Sequence, residues 1–262
     1  MFSKGTLKKE TTPKRVYSLL KLVEYRKGKA KKDEIFNYIQ PLKINNNQNE
    51  VKGALKFCLD EELLIQDFDG NIKLNIDKKY LEGETAFRKF INSNLYNKID
   101  NNIFYEINRD ILEKGMELYE NDNLEQAGVT LETINAKKDN MLAWRFWASY
   151  LGYGFMMNSL FVLNPYIRIR DVINDKFKDK INVKMTIKEF ISELGVYSPE
   201  FSKAIKDNKL SVPLSLALIT LNDLDFIRLD EIRDSEDRWT LDLNESIRIV
   251  THIEILGGQG NE

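Results

Sequence analysis

A mainly α-helical fold with small β-hairpins is what this sequence predicts, and three observations carry the prediction. Apolar residues recur at helical spacing through most of the chain. Near the front, Asp69-Gly70 separates two short apolar runs, a strong hairpin signal because that turn needs positive φ. A similar helix-then-strand order returns after Pro165. Together these point to two winged helix-turn-helix modules flanking a helical middle region. Residues 1–80 would be the first, basic module, 81–164 a helical connector or bundle, and 165–262 a second winged-helix-like module with an acidic tail.

Residues 1–12 are polar and read as a mobile lead-in. Thr12 then suits a helix N-cap and Pro13 the first helical position, where its missing N–H is harmless. Val16, Leu19, Leu20 and Val23 form one buried stripe, and Gly28 closes that helix. A short helix from Lys32 to Ile39 turns Ile35, Phe36 and Ile39 inward and stops at Pro41. After an Asn-rich loop, a third helix carries Val51, Ala54, Leu55, Cys58 and Leu59 on one face, with Lys52 and Lys56 elsewhere. Residues 64–68 and 72–76 read as the two strands of the wing.

From Gly83 to about Tyr153 the pattern is helical, with stripes at Phe87, Phe90, Ile91 and Leu95, at Ile107, Ile111, Leu112, Met116 and Tyr119, and at Leu142, Phe146, Trp147, Tyr150 and Leu151. Beyond Pro165, Ile167 to Phe177 suits a helix and Ile181 to Met185 a strand. Thr186 with Glu189 is a capping-box pattern opening a helix to Leu194. A helix from Ser211 to Leu224 follows, with 226–230 and 238–243 as the expected second wing. Leu55, Leu59, Leu64 and Ile65 superpose on Ala217, Leu221, Phe226 and Ile227, which suggests an internal duplication. Residues 246–256 would add a strand, and Gly257 to Glu262 a loose tail.

The 262 residues hold 39 Lys plus Arg against 41 Asp plus Glu, a net charge of −2 that hides a strong asymmetry. Residues 1–57 carry 14 basic and 5 acidic side chains, a balance of +9, whereas 197–262 carry 7 and 13, a balance of −6. A basic head and an acidic rear suggest different partners for the two ends; the plainer reading is an uneven solvated surface. The single Cys excludes an intramolecular disulfide framework and cysteine-rich zinc sites. Leu151 to Leu163, the longest apolar stretch, is shorter than the ~20 residues a bilayer span takes. With no apolar core of a secretory signal at the front, a cytoplasmic chain without a membrane partner is expected.

No catalytic constellation emerges, and an enzyme is not expected. Neither a GxxxxGK[ST] phosphate loop nor a GxGxxG turn occurs. Glu50-x-Lys52 lies at a helix start, where nuclease chemistry would want strand-borne carboxylates. Gly257-Gly258-Gln259 echoes release factors without a supporting domain. Asp234, Glu236 and Asp237 could hold a hard cation but read better as a solvated loop, so neither a metal nor a cofactor is expected. Cys58 reads as a buried hydrophobe, His252 as a strand residue. Trp144, Phe146, Trp147 and Tyr150 could stack on bases, but their helical spacing favours core packing.

Nucleic acid is a serious candidate at the front end, although winged helices often bind proteins instead. Phosphates attract Lys and Arg and release counterions. The third helix would enter the major groove, bringing Gln48, Asn49, Lys52 and Lys56 near the bases, with Lys31, Lys32 and Lys73 suited to phosphates. The equivalent helix of the second module has no Lys or Arg, and its acidic wing would be repelled by a duplex, so protein docking fits it better.

Thr12-Pro13-Lys14-Arg15-Val16, the Ile39-Gln40-Pro41 helix end, Val51-Lys52 and Leu63-Leu64-Ile65 resemble the N-terminal winged helix of DpdG-type proteins. Trp144-Arg145-Phe146-Trp147, Asn164-Pro165, Pro213 to Leu218 and Trp239-Thr240-Leu241 are similar to later stretches of that family. Those proteins belong to bacterial islands that insert 7-deazaguanine derivatives into DNA and restrict foreign DNA. The resemblance implies a non-catalytic subunit of a multi-subunit bacterial defence system and supplies no catalytic residues. The expected function is an adaptor that touches duplex DNA through its basic module and docks an ATPase, helicase or nuclease subunit through its rear. One alternative is a tandem winged-helix partner of the kleisin of an SMC-type ATPase; another is a transcription regulator, which would be a homodimer on a palindromic site.

Overall fold

In the computed structural model, residues 1–2, 5–44, 47–96, 102–115, 138–158, 160–243 and 246–257 are described. The chain is mainly α with small sheets and divides into two units: Met1–Tyr105 with Thr133–Leu151, and Glu106–Glu132 with Gly152–Glu262.

Helix α1 (Pro13–Tyr25) starts at the expected proline and buries Val16, Leu19, Leu20 and Val23. Thr12 holds the N-cap position in extended backbone, but its hydroxyl makes no capping bond. The two-residue strand β1 (Lys29–Ala30), absent from the sequence reading, leads into α2 (Lys32–Ile39). Helix α3 (Asn49–Asp60) buries Val51, Ala54, Leu55, Phe57 and Cys58 and packs on α1. Strands β2 (Leu64–Gln66) and β3 (Ile72–Leu74) form the hairpin around Gly70, whose φ is +78°. β3 lies between β1 and β2, antiparallel to both.

The described residues among 1–12 do not fit the mobile lead-in that their polarity suggested. Phe2 and Leu7 are wholly buried. The Phe2 ring meets Trp147 edge-on at 4.8 Å and lies 5.5 Å from Phe57 and 5.1 Å from Phe104. Two apolar side chains anchor the segment because an aromatic slot receives one of them. Helices α4 (Glu84–Leu95), α5 (Ile103–Lys114, which continues into the second unit) and α6 (Lys138–Leu151) supply the helical middle. Phe87, Ile91 and Leu95 are buried on α4, and Ile107, Ile111 and Leu112 on α5; Met116 and Tyr119 lie outside the described residues. Trp144 and Trp147 of α6 are core residues, and the Trp147 indole donates to the Thr11 carbonyl at 2.6 Å. That excludes the base-stacking alternative for these two rings.

The connector does not stay helical up to Pro165. Strands β4 (Gly154–Met157) and β5 (Leu160–Leu163) form a hairpin. Gly152 turns the chain at φ +90°, and a Cβ on Gly154 would sit 2.2 Å from the Val162 carbonyl oxygen. Both positions end the helical pattern at places where only glycine fits.

In the second unit, α7 (Tyr166–Lys176), strand β6 (Lys184–Thr186), α8 (Ile187–Tyr197) and α9 (Val212–Asp223) follow in order, with the short strands β7 (Ile205–Lys206) and β8 (Lys209–Leu210) before α9. The Thr186–Glu189 capping box is formed in both directions. Strands β9 (Ile227–Asp230), β10 (Trp239–Asp242), β11 (Ile247–Val250) and β12 (His252–Ile255) complete the unit. The expected pairing of 226–230 with 238–243 does not form. β9 pairs with β12, which in turn pairs with β6, while β10 lies between β11 and β8. Charged, exposed residues of 231–238 separate β9 from β10. Buried Ile253 and Ile255 give β12 an inward row beside Ile227 and Leu229, whereas Leu241 of β10 sits beside buried Leu210. The tail therefore contributes two strands where one was expected, and residues 258–262 are outside the described set.

With β7, β8, β10 and β11 set aside as insertions and β12 as the closing strand, the helix–strand–helix–helix–strand–strand order of the first unit recurs, including the sheet order β6-β12-β9 against β1-β3-β2. The correspondence is shifted by one residue from the sequence superposition. Glu62 and Asp225, both at positive φ (57° and 52°), end α3 and α9. The amides that follow reach back identically, Leu63 to Cys58 at 2.8 Å and Phe226 to Leu221 at 2.9 Å. Leu63 thus matches Phe226, and Leu64 matches Ile227. Apolar spacing alone tolerates a one-place slip; the left-handed residue does not.

The aromatic slot should dominate the stability of the first unit. Phe57→Ala is expected to cost about 3–5 kcal/mol, the range for emptying a buried phenylalanine site, read as an earlier urea midpoint in circular dichroism.

Candidate nucleic-acid interface

Helix α3 is oriented from within, because Val51, Ala54, Leu55, Phe57 and Cys58 face the core. At 3.6 residues per turn, that leaves Asn49, Lys52 and Lys56 along the opposite side, and all three are exposed. Lys56 leans on Asp60 one turn on, at 2.7 Å. Gln48, half-buried at the N-cap position, donates its amide to the Gln40 carbonyl at 3.3 Å and so faces inward more than expected. Lys31 and Lys32 stand exposed at the start of α2, Lys32 with its ammonium 5.6 Å from the Phe36 ring. Asn49, Lys52 and Lys56 thus share the outer side of α3, with Gln48 just ahead of the helix and turned inward, and Lys31 and Lys32 stand at the start of α2. Lys73 lies on the hairpin and is engaged by Asp67 at 3.1 Å.

Sequence reasoning missed the residues that hold this surface. Buried Gln40 accepts the Val51 amide of α3 on Oε1 at 3.1 Å, satisfying one of the N–H groups that a helix start leaves unpaired. Its Nε2 donates to Glu50 at 3.4 Å, and Glu50 is also paired with Arg15 at 3.0 Å. Glu50 is therefore occupied in structure, which explains the Glu50-x-Lys52 pattern without chemistry. At the hairpin tip, Asp67 Oδ1 accepts the amides of Asp69 (3.0 Å) and Asn71 (2.9 Å). Partial desolvation works to raise the Asp67 carboxyl. The Asn71 amide, Lys73, the Asn71 side chain and Lys29 outweigh it and hold the group well below the usual carboxylate range. Beside Asp67 the Phe68 ring is fully exposed.

Other candidate groups settle into structural places. Cys58 is buried, and burial pushes its thiol up from the ordinary value. His252 lies in β12 with Nδ1 2.9 Å from the Thr251 hydroxyl. Asp237 accepts the Trp239 indole N–H at 3.1 Å. Among the described residues no group of His, Cys, Asp or Glu is arranged to hold a metal, and no helix is long and apolar enough to cross a membrane. Of the Gly257-Gly258-Gln259 tripeptide only Gly257 is described. A cleft of about 410 Å³ in the first unit is lined by Asp60, Glu61, Glu62 and Asp77 beside the stacked rings of Tyr80 and Phe90. Its charge opposes a polyanion, so the lysine face of α3 is the candidate interface instead.

The class that emerges is a mainly α protein with a basic helix-and-hairpin module at its front. The chain belongs to the DpdG-like family, which matches it over residues 7–235. No curated protein and no solved structure gives a significant match.

Two outcomes follow from the supports of this surface. Gln40→Ala removes the acceptor for the Val51 amide and is expected to cost about 1–2 kcal/mol, measured by chemical denaturation. The depressed Asp67 carboxyl contributes stability that is present above the unfolded value near ~3.9 and is lost as pH falls through the lower folded value. Melting curves of wild type and Asp67→Asn should therefore differ at neutral pH and converge only in strong acid.

Proposed function

We propose that this chain is a non-catalytic adaptor of a DNA-modification or defence complex. In this reading residues 13–74 are a winged helix that contacts duplex DNA, and the second unit contains a winged-helix-like module that docks a partner protein, of the ATPase, helicase or nuclease class. Membership of the DpdG-like family supports the setting. The observation that carries the DNA contact is the outward lysine face of α3, on a stretch whose balance is +9 over residues 1–57. Helix α9, at the corresponding place in the second unit, has no Lys or Arg and buries Pro213, Leu214, Ser215, Ala217, Leu218 and Leu221. It offers a duplex nothing to hold, which favours protein docking at that end. The recurrence of the three-stranded sheet order β1-β3-β2 as β6-β12-β9 favours a second reading, a tandem winged-helix partner of a kleisin.

The discriminating variant is Lys52→Glu with Lys56→Glu. Both positions are exposed, so the circular dichroism spectrum should be unchanged. Fluorescence anisotropy on a labelled duplex should show binding lost at moderate salt, since charge reversal removes two contacts worth about 0.9 each in the log–log salt slope. Unaltered duplex binding would remove α3 from the interface. A wild-type chain that ignores duplex DNA but co-purifies stoichiometrically with a kleisin would favour the second reading.

A further inference from the structure

The hairpin tip holds a charge arrangement that the α3 surface does not account for. Lys29 and Lys73 stand opposite each other in the β1–β3 pairing, and like charges placed so oppose each other. Asp67 offsets this: its Oδ2 lies 3.3 Å from Lys29 Nζ and 3.1 Å from Lys73 Nζ. One carboxylate serves two ammonium groups and leaves one positive charge over.

The partners are held very differently. Asp67 is mostly covered, with 14% of its side chain exposed, and the loop amides of Asp69 and Asn71 fix its Oδ1. Lys29 and Lys73 are 49% and 42% exposed on long stems. They can turn to another anion without disturbing the loop, and exposed ion pairs contribute little that would keep them.

We propose that Lys29 and Lys73 form a clamp for a backbone phosphate, and that Asp67 occupies the phosphate's place while the protein is free of DNA. The proposal rests on the reading that residues 13–74 contact duplex DNA, and adds to it a second contact point with its own internal competitor. A phosphate accepts charge-assisted bonds from two ammonium groups. On a duplex it also releases condensed counterions when neutralised, a gain that an internal carboxylate lacks. The hairpin tip would therefore engage only where a polyanion is present.

The test compares Asp67→Asn with Asp69→Asn by anisotropy on a labelled duplex across a salt series. Each removes one negative charge from the same loop, but among the described residues Asp69 has no ion pair, so only the first frees the lysines. Asn at 67 keeps an Oδ1 acceptor for the loop amides, and circular dichroism melting checks that the fold persists. Asp67→Asn should bind more tightly than Asp69→Asn across the salt series, because only it removes the carboxylate that competes with the phosphate for Lys29 and Lys73. The gain should vanish when Lys29→Gln and Lys73→Gln are added. Equal gains from the two Asn variants, or a gain that survives the Gln pair, would overturn the clamp. If Lys52→Glu with Lys56→Glu abolishes wild-type binding while the two Asn variants match, the duplex reading stands and the clamp falls. A wild-type chain that ignores duplex DNA even at low salt removes both.

Discussion

Four aromatic rings contributed by distant parts of the chain hold the first unit together. Phe2 comes from the leading segment, Phe57 from α3, Phe104 from the start of α5 and Trp147 from α6, with neighbouring centroids between 4.8 and 5.5 Å apart. Such rings bury large areas and prefer tilted or edge-on contact, so the cluster selects orientation as well as proximity. The Trp147 indole N–H would be unpaired in this slot without the Thr11 carbonyl, which ties the leading segment to α6. Since Phe57 is committed to the cluster, the rotation of α3 about its axis is set. Lys52 and Lys56 are outside because Phe57 is inside.

Local periodicity made much of this legible. Helices α1, α2, α3, α8 and α9 came from apolar spacing and end signals, and the first hairpin from Asp69-Gly70. What escaped depends on partners far along the chain. β1 is two residues long and exists through its pairing with β3. β12 displaced β10 as partner of β9 because Ile253 and Ile255 complete an apolar layer that no local window reveals. The leading segment looked mobile by composition, yet Phe2 and Leu7 are buried, Phe2 among the aromatic rings.

The candidate interface divides in the same way. That Asn49, Lys52 and Lys56 face outward followed from helical geometry. That Gln40 holds the start of α3, that Arg15 occupies Glu50, and that Lys29 and Lys73 share Asp67 did not, since each is a contact across loops. Glu50, whose spacing to Lys52 read as no nuclease signal, is occupied by Arg15 and Gln40, and Asp67 holds the hairpin turn.

The position of Cys58 carries one more consequence. Its thiol is sealed beneath α3 and stays protonated there, whereas oxidants and disulfide partners react with an accessible thiolate. The protein's one sulfhydryl is thus withheld from oxidative signalling, and any redox control through it would first require the module to come apart.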